Sequence, residues 1–467
     1  MPKVTFLPSG VELAAESSAN LLSVIRGAGV ALEAPCGGKG TCGKCIVRVA
    51  SGDVDSASLG LLSKTAVAEG HVLACKTTVS KEDLVVEIPE TIGRSGGKFT
   101  DSTEDFGLVR QELFPEVWEF EPLSLKWLLQ VPPAKAGDGL SDLERLTRAF
   151  QHDWGKSQFS CPLSVLRKLA ATLRAEDGKV TVTVIQDGDT SRLVDLESGD
   201  RTTRHYGVAI DVGTTTIAVQ LVFLPLAKAL GTRNDYNDQV SCGLDVISRI
   251  NYARTPERLE ELRQRVVGTV NKLIAQVCAA HDVDPREISN AVVAGNPTMT
   301  PLFLGLQPEF LRLDPYVPTV TQLPYIQAGQ AGLAINPESW VLFCPSVGSY
   351  VGGDITAGVL CTDLTRKAEV SLFIDIGTNG EIVIGNSDFL VTCACSAGPA
   401  FEGGGIDCGM RASTGAIERV DIDPATGVPS LWTIGNVRPK GICGSGMISL
   451  LSGLFTTGWL DGQGRLS

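Results

Sequence analysis

What this chain of 467 residues lacks narrows its class first. It has no apolar run of about 18 residues, the length a bilayer-spanning helix needs, so no membrane span is expected. Its start, Met1-Pro2-Lys3-Val4-Thr5-Phe6, lacks the basic-then-apolar pattern of a secretory signal, which points to a cytoplasmic protein. It lacks an excess of positive charge. A net charge of -13 argues against nucleic acid and against anionic membrane surfaces as partners. It lacks the two close cysteine pairs of a typical structural zinc site. His152 and His205 stand alone, and packing or surface exposure explains each better than catalysis.

What is present begins with cysteine. Of 13 cysteines, three fall in Cys36-Gly37-Gly38-Lys39-Gly40-Thr41-Cys42-Gly43-Lys44-Cys45, and Cys75 follows in Leu73-Ala74-Cys75-Lys76-Thr77. Four thiolates complete a [2Fe-2S] cluster. The intervening glycines let the backbone turn tightly and aim N–H groups at the sulfurs. The C-x5-C-x2-C spacing is one residue longer than the plant-type pattern and resembles adrenodoxin-like ferredoxins. A one-sided triplet with a distant fourth partner fits zinc poorly. The other nine cysteines read as small buried hydrophobes in a reducing cytosol. Cys393-Ala394-Cys395 alone is weak evidence for a redox or metal pair.

Length sets a prior of about three domains of ~150 residues, and 43% hydrophobic content suits soluble domains with real cores. Residues 1–92 read as one domain: a hairpin at 4–7 and 11–14, a helix at 20–28 stopped by Gly29, the cysteine loop, and strands at 46–49 and 84–88. That order matches β-grasp ferredoxins. Residues 93–125 read as a linker. Residues 126–205 read as a small α+β unit, with helices at 143–150 and 162–173 and a strand at 179–185.

From Tyr206 the pattern changes. Ile210-Asp211-Val212-Gly213-Thr214-Thr215-Thr216 lies between apolar strands, and Ile374-Asp375-Ile376-Gly377-Thr378-Asn379-Gly380 repeats the arrangement. Each places Asp-x-Gly-Thr at a hairpin tip. Glycine there is expected to supply positive φ, and successive N–H groups then form an anion nest. Threonine hydroxyls add donors, and the aspartate can hold Mg²⁺ or orient a water on a terminal phosphate. A long helix at 256–281, a strand leading into a turn at 292–298, and Gly348–Gly358 running into a helix lie between the tips. Gly352-Gly353-Asp354 could face a nucleotide or mark a tight helix–strand crossing. A glycine-rich loop spans 396–406, and Gly444-Ser445-Gly446 opens a further helix, an anion site or a packing contact.

Paired tips of this kind resemble the phosphate loops of the ASKHA superfamily. Together the segments resemble the reductive activators of corrinoid proteins. The fold class implied is α/β multidomain: an α+β ferredoxin domain, a small middle α+β domain, and an actin-like ATPase domain over 206–467. The glycine-rich adenosine motif that normally follows in the superfamily is not found, so the sequence is expected to be a fragment or to carry an incomplete nucleotide pocket. The resemblance implies a [2Fe-2S] cluster, ATP and Mg²⁺ as cofactors. It implies a corrinoid protein as partner, a low-potential electron donor of unknown identity, and room for a homodimer. Cys36, Cys42, Cys45 and Cys75 would carry the electron. Asp211, Gly213, Thr214 and Thr215 would cradle one side of the phosphates, and Asp375, Gly377, Thr378 and Asn379 the other. Asp354, Gly352, Gly353, Gly444 and Gly446 are further candidates. Two other readings remain: a redox-regulated small-molecule kinase, and an electron-transfer adaptor without ATP turnover.

Overall fold

A computed structural model describes residues 2–30, 32, 45–57, 62, 64–88, 121–155, 159–187, 190–243, 245–377, 379–396, 406, 408–410, 412 and 414–466. The chain forms two compact units. One holds Met1–Asp101, Asp238–Arg258 and Ala368–Ser467, and the other Ser102–Asn237 and Leu259–Lys367.

In the first unit, the N-terminal domain runs β1 (Lys3–Leu7), β2 (Val11–Ala14), α1 (Leu21–Gly27), β3 (Ile46–Ser51), β4 (Val54–Ser56), α2 (Lys64–Ala68), β5 (His71–Leu73), β6 (Thr77–Val79) and β7 (Leu84–Glu87). Its main sheet has the order β2-β1-β7-β3-β5, with β1 and β7 parallel. Alternation along β1 buries Val4 and Phe6, which meet Leu21, Leu22, Val24 and Ile25 of α1 in one core. Asn20 caps α1 through its side chain, and Gly29 just past the helix takes a φ of +69°.

The second unit opens with β8 (Ser124–Gln130), α3 (Asp142–Trp154), β9 (Phe159–Ser160), α4 (Leu163–Ala175), β10 (Lys179–Asp187) and β11 (Thr190–Ser198), in the order β8-β10-β11-β9. A full capping box starts α3: Ser141 accepts from Glu144 N–H while Glu144 reaches back. Then come β12 (Tyr206–Val212), β13 (Thr216–Phe223) and β14 (Lys228–Tyr236). The chain makes an excursion through α5 (Val246–Tyr252) and returns along α6 (Pro256–Ala280). Next are β15 (Ile288–Gly295), α7 (Met299–Leu304), β16 (Ile326–Gln327), α8 (Ala328–Ala331), β17 (Trp340–Phe343) and α9 (Gly353–Leu360). The six-stranded order is β14-β13-β12-β15-β17-β16, with β12, β15 and β17 parallel.

The C-terminal part of the first unit has two small sheets. One is β18 (Ser371–Ile376), β19 (Asn379–Gly385) and β20 (Leu390–Ser396) in that order. The other is β21 (Ala416–Ile422) between β22 (Pro429–Thr433) and β23 (Gly441–Ile442), with α10 (Gly444–Thr456) packed on β21. Leu372, Ile374 and Ile376 alternate along β18 on one face, and all three are exposed.

Most expected elements are present. Strands β8, β11, β14, β20, β21 and β22 and helix α5 are among the elements not anticipated: β8 begins at Ser124, inside the stretch read as a linker, and the others show no clear period in sequence.

Candidate functional site

Two of the four cysteines expected to ligate the cluster lie within the described residues. Cys45 and Cys75 are both buried and both free of disulfide bonds. The Ala74 N–H donates to the Cys45 carbonyl at 2.8 Å, which ties the two segments together. Asn20, the cap of α1, donates from Nδ2 to the Cys75 carbonyl at 3.0 Å. Thr77 Oγ1 donates to the Leu73 carbonyl at 2.9 Å and closes the turn carrying Cys75. Two buried thiols outside any disulfide, brought together from distant segments, fit the ligand set of an iron–sulfur cluster. Cys36 and Cys42 lie outside the described residues.

The first Asp-x-Gly-Thr tip joins β12 and β13, whose register pairs Asp211 with Ala218 and Val212 with Ile217. Asp211 is exposed and Thr214 buried. Two asparagines grip the tip. Asn237, fully buried, donates from Nδ2 to the Gly213 carbonyl and from its backbone N–H to the Thr215 carbonyl, both at 2.9 Å. Asn296 donates from Nδ2 to Thr214 Oγ1 at 2.9 Å, while its Oδ1 accepts from Thr298 and Met299 N–H at 3.0 Å. So Thr214 accepts a bond that fixes the tip to the turn after β15.

Gly352 and Gly353 open α9 beside that turn and are buried. A Cβ on Gly352 would lie 2.6 Å from Asn296 Cα and 2.8 Å from Asp354 Oδ1, and one on Gly353 would lie 2.5 Å from the Cys344 carbonyl. Both glycines are thus required by close approach. Asp354 Oδ1 accepts from the Ile355 N–H at 2.9 Å at the start of the helix. The fold brings tip, turn and helix start together within one unit. Asn237 had no sequence signal, since it follows a polar edge strand.

The second tip, in the other unit, joins β18 and β19. Asp375 pairs with Glu381, and the Gly377 N–H donates to the Asn379 carbonyl at 2.9 Å. Asp375 and Gly377 are exposed, and Thr378 lies outside the described residues, as does most of the 396–406 loop. One expectation is corrected at both tips: neither glycine has positive φ. At Gly213 the reason for glycine is space, because a Cβ would stand 2.6 Å from the Thr216 carbonyl.

Gly444 is the first residue of α10, and Gly446 is buried against β21, where a Cβ would strike the Ile417 carbonyl. Helix packing accounts for Gly446.

The reading of the other nine cysteines as buried also needs correction. Cys242, Cys278 and Cys443 are buried, but Cys361, Cys393, Cys395 and Cys408 are exposed. Cys393 and Cys395 share one face of β20, because side chains alternate along a strand. Burial pushes the Cys278 thiol up to about 11, as expected of an inert packing group. Among the described residues no three His, Cys, Asp or Glu side chains converge as a metal site. No described helix is long and apolar enough to cross a membrane.

Fold and site define a ferredoxin-type domain joined to an ASKHA-type domain. Sequence families match in four segments: the 2Fe-2S iron-sulfur cluster binding domain over 4–80, the RACo linker region over 116–203, the RACo middle region over 206–367, and the C-terminal ASKHA domain of RACo over 369–467. The corrinoid activation enzyme RamQ of Eubacterium limosum is 31% identical over 448 residues, 94% of this chain and 68% of RamQ. The [Co(II) methylated amine-specific corrinoid protein] reductase of Methanosarcina barkeri is 28% identical over 231 residues, 47% of this chain and 41% of the reductase. A solved structure described as a reductive activator for corrinoid, iron-sulfur protein matches with a TM-score of 0.68 and 43% identity, over 100% of this chain and 74% of that one. The chain belongs to the family of reductive activators of corrinoid proteins.

Proposed function

We propose that this protein is an ATP-dependent reductive activator that returns a corrinoid protein from cob(II)alamin to cob(I)alamin by one-electron transfer. The observation that carries the reading is the presence, in one chain of this family, of a cluster-binding domain and two Asp-x-Gly-Thr tips. Cys36, Cys42, Cys45 and Cys75 would hold the [2Fe-2S] cluster, which supplies single electrons at low potential. Asp211, Gly213, Thr214 and Thr215 bind phosphate on one side, and Asp375, Gly377, Thr378 and Asn379 on the other. Asp211 or Asp375 positions Mg²⁺, with Asp354 beside the first tip. Asn237 and Asn296 keep that tip in shape.

Nucleotide has a thermodynamic job here. An all-cysteine [2Fe-2S] centre sits near −400 mV. An acceptor ~100 mV lower would leave transfer unfavourable by about fiftyfold, at 59 mV per tenfold for one electron. A clamp that binds two nucleotide states differently can shift that balance. A separate low-potential donor would recharge the protein.

The test follows cob(I)alamin absorbance and phosphate release with pre-reduced protein, a corrinoid protein, and MgATP present or absent. Corrinoid-stimulated phosphate release together with ATP-dependent cob(I)alamin is expected. Alanine at Asp211 or at Asp375 should abolish the ATP-dependent part, about a hundredfold, as removal of a charge-stabilising group commonly does. Undiminished reduction in both variants would sink the clamp and leave a tethered ferredoxin.

A further inference from the structure

We infer that the excursion Asp238–Arg258 is a dock for the [2Fe-2S] domain, gripped by Arg26 on Tyr252, and that nucleotide at the Gly213–Thr215 tip governs it through Asn237. The second half rests on the proposed nucleotide role of the tip. The excursion is compact with Met1–Asp101, although in sequence it interrupts the other unit.

Its construction is rigid. Asp245 caps α5 and accepts from Ser248 N–H at 2.8 Å, and Ser248 completes the box. Arg249 is fully buried, with Nε donating to the Gly243 carbonyl at 2.8 Å and Nη1 to Gln239 Oε1 at 3.1 Å. The excursion is thus a preformed surface, and preformed surfaces lose little entropy on binding.

Tyr252 closes α5. The Arg26 guanidinium lies 5.5 Å from its ring centre, and Arg258 lies 5.1 Å from it. Both distances are within cation–π range, and such contacts strengthen as water is excluded. Arg26 Nε is buried with no hydrogen-bond partner, so the ring face is the compensation in view. Arg26 stands in the last turn of α1, and the cap of that helix, Asn20, bonds the carbonyl of cluster ligand Cys75. The contact therefore grips the helix that braces the cluster site.

The chain enters the excursion directly after Asn237. Asn237 is the last residue before the chain leaves its unit, and it makes two bonds to the Gly213–Thr215 tip. On this inference a phosphate seated on the tip would act through those two bonds on Asn237, the residue from which the excursion departs. An electron carrier must approach its acceptor closely, so a nucleotide-controlled parking place would time its release.

Hydrogen exchange on the anaerobic, cluster-loaded full chain tests this. Without nucleotide, Tyr252→Ala should speed amide exchange in α1 about threefold, and Arg26→Ala should do the same in α5, as the loss of one cation–π contact implies. Tyr252→Phe keeps the ring and should exchange like the wild type. Unchanged exchange in the opposite element overturns the dock. A saturating non-hydrolysable MgATP analogue should then alter protection of α1 and α5 together in the wild type, and Asn237→Ala should abolish that change. Equal protection with and without nucleotide overturns the coupling. Neither readout involves cobalt, so failure here is distinct from failure of the proposed activity.

Discussion

At the scale of single residues, buried polar groups show where the chain accepts constraint. His205 is 4% exposed, and Ser124 Oγ lies 3.0 Å from its Nε2. Ser124 also meets Ser289 Oγ at 2.6 Å and accepts from Asn290 Nδ2 at 3.0 Å. Burial, with help from the Lys126 charge, lowers the His205 pKa to about 4. The groups facing it are Lys126, whose ammonium pairs with Glu197, and the uncharged Ser289, Asn290 and Tyr206 side of the network. The unfolded histidine titrates near ~6.5. Below that pH the unfolded chain takes up a proton that the folded chain refuses, so stability present above ~6.5 falls until about 4. Denaturant unfolding at pH 7 and pH 5 should show about 2 kcal/mol lost through this residue. His205→Gln should remove that component of the acid slope. The sequence showed a lone histidine and a packing role. It could not show the shift, which depends on burial by segments distant in sequence and on the charge of Lys126.

At the scale of elements, α1 serves three tasks: it fills the ferredoxin core, it presents Arg26, and it braces the turn of Cys75 through its cap. Asn20 uses its two amide ends differently. Oδ1 accepts from Ser23 N–H, and Nδ2 donates to the Cys75 carbonyl. Asn20→Asp keeps an acceptor for the cap but loses the donor. It should leave stability within about 1 kcal/mol while hastening loss of the cluster's visible absorbance in the presence of a chelator. Asn20→Ala should lose both. If Asp and wild type shed the cluster equally fast, the bond to Cys75 has no part in holding the site. The helix was legible from its apolar spacing and from Gly29. The second use of its cap was not, because the partner lies 55 positions away in sequence.

At the scale of the molecule, the middle α+β domain and the sheet that carries the first tip form one compact unit. Glu338 is their polar rivet. Its carboxylate accepts from Ser164 Oγ at 2.8 Å, Arg192 Nη2 at 2.8 Å and Gln327 Nε2 at 3.0 Å. Asp195 adds bonds to Lys168 and Asn336. Calorimetry should therefore find these two parts unfolding together. Glu338→Ala leaves three donors short of a partner, at about 1–3 kcal/mol, and should split or broaden that transition. A single unchanged transition in the variant would show that the rivet carries no coupling.

The amino-acid order alone determined the chemistry of the chain. Cysteine spacing specifies a thiolate-bound cluster, and Asp-x-Gly-Thr between apolar strands specifies hairpin tips, because both depend on neighbours close in sequence. Only the tertiary structure decided which side chains hold those tips. Asn237 and Asn296 reach the first tip from separate strands, Gly352 fits against Asn296 by close approach, and Tyr252 meets Arg26 across the chain. Such pairings come from strand order and helix packing, which bring distant positions within hydrogen-bond reach and leave no local period to read.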